Sequence, residues 1–252
     1  MSGRQVESDR VLADVDEPPG NRWLFAIALS VAVAAAVGLA VGLFTPAHSG
    51  PYCRSDCIGY PYSGGARFVP RDFWWQYPAA LAAVLALVFV SAQPARQSAG
   101  ARTAHRVATS LAALAAGVLV TDYGIQLMVV QPSLVKGETE GLGLWSQLNP
   151  HGVFIALENI GYLLLALAFV SLGAAMKVRA PLERAARIVF IAGGTLTVFA
   201  LIGYAVAYRA DLDYRFEVVA IAVDWLVLTI AGALLAVAAR PRRAYPVPRT
   251  PA

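Results

Sequence analysis

The sequence predicts an all-α integral membrane bundle of six transmembrane helices, and three observations lead there. Of 252 residues, 58% are hydrophobic and 14% charged, against roughly 45–50% and 25% in soluble domains. The apolar residues fall in blocks of about twenty, the length a helix needs to cross a hydrocarbon core about 30 Å thick. Short charged connectors separate the blocks, and the mean hydropathy is +0.59. Such a composition excludes a soluble enzyme, a disordered chain and a secreted disulfide scaffold.

Residues 1–21 carry five acids and end in Pro18-Pro19-Gly20, so they are expected to form a disordered cytoplasmic tail. The membrane domain is expected over 22–239, with spans at 23–44, 74–92, 107–130, 152–176, 188–208 and 218–239. The first span exceeds the roughly 7–15 apolar residues of a cleaved signal and reads as a retained anchor. Its Gly38-x-x-x-Gly42 spacing permits close helix approach, although in so Ala-rich a chain ordinary packing explains it. No repeat at solenoid periods and no clear inverted symmetry between the halves is present, which counts against the best-known transporter architectures. Residues 240–252, with four prolines and four arginines, form a basic tail.

Six spans place both termini on one side. The two tails and the connectors at 93–106 and 177–187 hold fourteen of the twenty Lys and Arg residues. Positive connectors stay in the cytoplasm, so the expected topology is N-in and C-in, with loops 45–73, 131–151 and 209–217 outside. A net charge of +4 and a pI near 9.2 then reflect topology and contact with anionic lipid heads. No nucleic-acid motif accompanies them, and a nucleic-acid partner is not expected.

Cys53 and Cys57, the only cysteines, fall in the first outer loop, on the oxidising side, where a disulfide is the natural state. A redox role is disfavoured, because the spacing is C-x-x-x-C and no second pair could relay electrons. Phe73, Trp74, Trp75 and Tyr77 then suit an interfacial aromatic belt. The polar, Gly-rich 131–151 loop reads as a lid over the bundle, and its Pro150 suits a first helical turn.

The most informative residues are three acids inside spans: Asp122, Glu158 and Asp224. A charge at the centre of a spanning helix costs about 2.5–3.5 kcal/mol on insertion scales, which makes each a functional candidate by default. At about 1.5 Å per residue, all three lie some 10–14 Å below the outer interface, in one layer. Residues four apart share a helical face, which adds Gln126 to Asp122 and Tyr162 to Glu158; His151 lies two turns above Glu158, and Thr197, Tyr204 and Tyr208 share a face of the fifth span. If these faces converge, they enclose an acidic pocket roofed by the two longer loops. Several carboxyls without a cation cannot all stay ionised, so either some are neutral or a cation is bound. The expected site is therefore Asp122, Glu158 and Asp224, oriented by Gln126, Tyr162 and Tyr204 and topped by His151. It would bind or move a proton, cation or small cationic solute. The alternative is an accessory or sensory subunit whose acids are protonated structural glue.

His48 and His105 lie on opposite sides of the membrane, so a His-rich zinc centre and a bis-His haem pair are not expected; whether a metal binds stays open. No P-loop, G-x-S-x-G or H-E-x-x-H motif occurs, no cofactor is expected, and an enzyme is the weaker reading. Partners consistent with these residues are the bilayer, a cationic solute, further copies of the chain or a larger membrane complex.

Six segments carry a likeness: Cys57-Ile-Gly-Tyr-Pro-Tyr, Val69-Pro-Arg-Asp-Phe-Trp, Asp122-Tyr-Gly-Ile-Gln, Val130-Gln-Pro-Ser-Leu, Gly137-Glu-Thr-Glu-Gly and Asn149-Pro-His-Gly-Val-Phe-Ile-Ala-Leu-Glu. Through them residues 52–176 resemble an uncharacterised family of bacterial six-span integral membrane proteins. The resemblance implies a bacterial inner or plasma membrane location and supplies no substrate. Asp224 and the fifth span lie outside it.

Overall fold

A computed structural model describes residues 21–241. The expectations for the two tails fall almost wholly outside this range. The described residues are helical with no strand, and six helices are long and apolar enough to cross a membrane. They are α1 (Arg22–Leu43), α2 (Gln76–Ala92), α3 (Ala99–Ile125), α5 (Val153–Ala175), α6 (Pro181–Tyr208) and α7 (Tyr214–Ala238); the short α4 (Gln131–Lys136) prolongs α3.

The helix ends follow from local chemistry. Asn21 caps α1 by accepting from the Trp23 and Leu24 N–H groups at 3.1 and 3.3 Å, and Ser98 caps α3 by accepting from Ala101 at 3.3 Å. At α6, the Glu183 carboxylate accepts from the Arg179 and Ala180 N–H groups at 2.5 and 3.2 Å, and Pro181 takes the first helical position. Between α3 and α4 the backbone widens into a π turn, Gln126–Val130. Pro132 explains it, because its ring cannot donate to the Met128 carbonyl and would clash with it. The chain absorbs this by widening instead of breaking, and the third span runs on to Lys136 rather than stopping near 130. Other boundaries differ from the sequence reading, and α3 and α6 start at Ala99 and Pro181, each about two turns before the expected span. α7 begins at Tyr214, which moves Glu217 from a loop into a helical first turn; α5 begins at Val153 because Asn149 Oδ1 accepts from His151 N–H at 3.2 Å and holds Pro150 in a turn outside the helix.

Successive spans pack side by side: α1 on α2, α2 on α3, α3 on α5, α5 on α6, α6 on α7, and α7 back on α1 to close a ring, with α5 and α7 also touching across the middle. Small residues make these contacts possible. A Cβ on Gly194 of α6 would come within 2.4 Å of the Ala166 carbonyl oxygen in α5, and one on Gly232 of α7 within 2.9 Å of the Ala28 oxygen in α1. Gly38 and Gly42 both lie against the Trp225 ring, where added Cβ atoms would come within 3.0 and 3.8 Å, so the glycine pair noted in the sequence serves as the seat for an aromatic side chain.

At one end of the ring the connections are short. Residues 95 and 176 form an isolated antiparallel bridge, flanked by Arg96 N–H to Ala175 O at 3.0 Å and Lys177 N–H to Pro94 O at 3.1 Å. At the other end the long connections 44–75 and 126–152, with the short 209–213, form a cap. Cys53 and Cys57 are joined there by a disulfide, Sγ to Sγ 2.01 Å. Phe73, Val130, Leu134 and Leu142 make a small apolar centre beneath. The expected aromatic belt divides: Trp74 and Tyr77 are exposed, whereas Phe73 is buried and Trp75 packs into the bundle.

Candidate functional site

The cap is held to the helices by side-chain amides and hydroxyls that spacing rules did not single out. Gln147 is the hub. Its Oε1 accepts from Gln76 Nε2 at 2.8 Å, its Nε2 donates to Asp72 O at 3.2 Å, its N–H donates to Gln126 Oε1 at 2.9 Å, and its carbonyl accepts from the Tyr214 hydroxyl at 2.9 Å. Ser49 Oγ joins Tyr214 (2.7 Å) to the Leu148 carbonyl (2.5 Å). Gln126 also donates to Trp145 O at 2.6 Å, so both ends of its amide are spent on the lid backbone. It fixes the roof and does not orient Asp122.

Below the cap, the buried carboxyls sort into two places. Asp122 on α3 and Glu158 on α5 face each other's charge, and with them stands Glu217 from the first turn of α7, which acts electrostatically on both. All three side chains are buried. The Tyr123 hydroxyl donates to Glu158 Oε1 at 2.7 Å and shares a 2.7 Å bond with the Tyr162 hydroxyl, so the expected pairing of Glu158 with Tyr162 runs through a third residue. Trp75 meets Tyr123 edge-on at 5.6 Å, and Trp225 meets Tyr162 at 6.4 Å. Asp122 Oδ2 is buried without a hydrogen-bond partner, as is Asp224 Oδ2 farther along α7, whereas the Glu158 and Glu217 carboxyls lie within hydrogen-bond reach of each other.

Asp224 stands apart. Its Oδ1 accepts from Thr197 Oγ1 at 2.9 Å, tying α7 to α6, and within the expected set its charge reaches Tyr162. His151 is not above Glu158: its side chain is 70% exposed, and Nδ1 lies 3.8 Å from Asp213 Oδ1. Tyr204 stacks on Tyr208 at 5.6 Å, and Arg215 covers the Tyr208 ring at 4.5 Å. Of the seven expected residues, then, Asp122, Glu158 and Tyr162 come together; Gln126 serves the cap, and His151, Tyr204 and Asp224 lie elsewhere.

The sequence reading missed Glu217 and Tyr123. Glu217 is seven residues before Asp224, two turns up the same face, and that spacing was the available signal. The signal is masked because the charge count assigns Glu217 to the end of the outer loop 209–217. Tyr123 left only the weaker signal of a hydroxyl beside an intramembrane acid.

Glu217 also lines a cavity of about 240 Å³ between the cap ends of α1 and α7. Trp75, Trp225, Tyr214 and His48 share its wall with apolar residues of both helices. His48 is stacked on Phe68 at 3.5 Å, and its Nε2 lies 2.8 Å from Asp72 Oδ2, whose other oxygen receives Arg71 Nε at 2.5 Å. Asp72 is thus neutralised by its own neighbours. Arg215 is likewise committed, to Asp213 Oδ2 at 3.2 Å. Glu217, Glu158 and Asp122 have no such partner among the described residues. No protein-family model, curated protein or solved structure matches the chain.

Proposed function

We propose that the chain is a bacterial inner-membrane protein, N-in and C-in, that takes a cation or proton from the outer side onto Glu217, with Glu158 and Asp122 as the acidic groups behind it. The observation that carries this reading is the position of Glu217. It borders the cavity and also acts on Glu158, so a charge arriving in the cavity is felt by the buried pair. Burying three carboxyls without a counter-ion is costly, and the cost is relieved by a bound cation or by protons. Gln126, with both ends of its amide bonded to the cap, belongs to the scaffold, and Asp224, tied to Thr197 of α6, stands outside the group that borders the cavity.

The orientation rests on the charge count and is tested directly. A single cysteine placed at Glu138, with Cys53 and Cys57 both changed to Ser, is expected to react with a membrane-impermeant thiol reagent in intact cells; one placed at Arg102 is not. The site is tested by a pH and sodium scan of thermal stability. Wild type is expected to respond, Glu217→Gln and Glu158→Gln to respond less, and Asp224→Asn to keep the wild-type response at a lower overall stability. Superimposable responses in all of them would end the reading and favour an accessory or sensory subunit.

A further inference from the structure

The site just described leaves the chemistry of the cation open. Resting on that reading, we propose that the occupant is an organic ammonium ion bearing an apolar arm, which reaches the cavity along the seam between α1 and α7. Three observations converge on it.

The first is the oxygen inventory. A bare inorganic ion needs about six or more oxygen ligands for a divalent site of the calcium kind. In this cavity Asp72 is held by His48 and Arg71, the Tyr214 hydroxyl by Ser49 and the Gln147 carbonyl, and the Gln147 amide by Gln76 and Asp72. What remains are the Tyr52 hydroxyl and Glu217, 7% exposed, whose carboxyl meets only another acid, Glu158. No group of three or more His, Cys, Asp or Glu with metal-holding geometry exists among the described residues. One free carboxylate suits an ammonium head, which carries its own alkyl shell.

The second is the aromatic wall. Trp75 and Trp225 both line the cavity, with centroids 6.4 Å apart and ring planes inclined at 55°. Indole faces are the best side-chain partners for quaternary ammonium groups. Trp225 keeps its position because Gly38 leaves it room; a Cβ there would lie 3.0 Å from the ring.

The third is the mouth. Its rim includes Leu43, 76% exposed, and Val218, 46% exposed, at the cap ends of α1 and α7. Exposed apolar side chains at the end of a membrane-spanning helix suit the lipid boundary better than water. An amphipathic cation concentrated among lipid head groups therefore meets the mouth directly.

The test uses the full-length chain in lipid nanodiscs, with benzyltrimethylammonium as probe, neopentylbenzene as its uncharged isostere, and sodium chloride as the inorganic control. Binding is read by tryptophan fluorescence and by thermal shift. The expected result is saturable binding of the ammonium probe, at least tenfold weaker binding of the isostere, and at least tenfold loss in both Glu217→Gln and Ala222→Leu. Ala222→Leu keeps the carboxylate and narrows the cavity, so it decides the matter should Glu217→Gln fail to fold. Equal binding of probe and isostere overturns the proposal. If the ammonium probe has no effect while sodium or pH still acts through Glu217, the organic occupant is wrong and the underlying cation reading survives. If no condition acts through Glu217, both fall.

Discussion

Tyr123→Phe isolates the hydroxyl at the centre of the buried network. That hydroxyl makes two 2.7 Å bonds, one to Glu158 and one to Tyr162. Glu158 is fully buried, and removing the Tyr123 hydroxyl strips Oε1 of its hydrogen bond and leaves the carboxyl only its contact with the Glu217 carboxyl. The phenyl ring stays packed by Trp75 and Phe154, at 5.6 and 6.1 Å, and no cavity opens. Hydrogen bonds between transmembrane helices average about 0.6 kcal/mol, but orphaning a buried polar group costs about 1–3 kcal/mol. Because the orphan here is a carboxyl, a loss of about 2 kcal/mol is expected, close to a 30-fold change in the unfolding equilibrium. Tyr162→Phe removes one of the two bonds and leaves Glu158 satisfied, so about 0.5–1 kcal/mol is expected. The double variant should show a coupling of 0.5 kcal/mol or more, as residues sharing a network do. Reversible unfolding in mixed micelles titrated with dodecyl sulfate measures all four proteins. A Tyr123→Phe variant within about 0.5 kcal/mol of wild type and additive with Tyr162→Phe would refute the network as drawn.

Packing gives a paired prediction. Gly194→Ala drives a methyl toward the Ala166 carbonyl at 2.4 Å and should cost about 1–3 kcal/mol, whereas Gly117→Ala, with nothing within 4 Å of the new Cβ, should gain up to about 1 kcal/mol from helix propensity; thermal unfolding in detergent compares them. Gln147→Ala removes the hub between lid and bundle, and limited proteolysis is expected to cut within 137–149 at least several times faster than in wild type while the spans stay intact. Opening the Cys53–Cys57 disulfide frees a loop of about five residues, worth about 2 kcal/mol in the chain-entropy account, and should loosen the cap before the membrane core, as seen by hydrogen exchange at residues 45–73.

Fold class and span number were legible because they depend on composition and block length, which a bilayer reads almost residue by residue. The helix ends were legible where the cap chemistry is local, and less so where it is not. Pro132 suggests a break in the third span, and only the neighbouring packing decides that the chain widens into a π turn. Asp122, Glu158 and Tyr162 were found because intramembrane polarity is conspicuous and helical spacing is reliable. Which helix faces meet is a property of six mutual rotations, and no single span encodes it. Asp224 and Glu217 share one face of α7, and the neighbours at each depth, Thr197 of α6 for Asp224 and Glu158 of α5 for Glu217, give them different partners.

The contact of α5 with α7 across the ring divides the interior into two compartments. One side, with α1, α2 and α3, holds Asp122, Glu158 and Glu217; the other holds the Asp224–Thr197 bond between α6 and α7. α6 is also the least enclosed span, with 17% of its apolar window buried against 33–50% in the others. Its inward side is nonetheless anchored, because Phe190 is fully buried against Phe89 of α2 and Phe169 of α5 and Gly194 sits on the Ala166 carbonyl, so α6 turns a broad face outward while three helices hold the other.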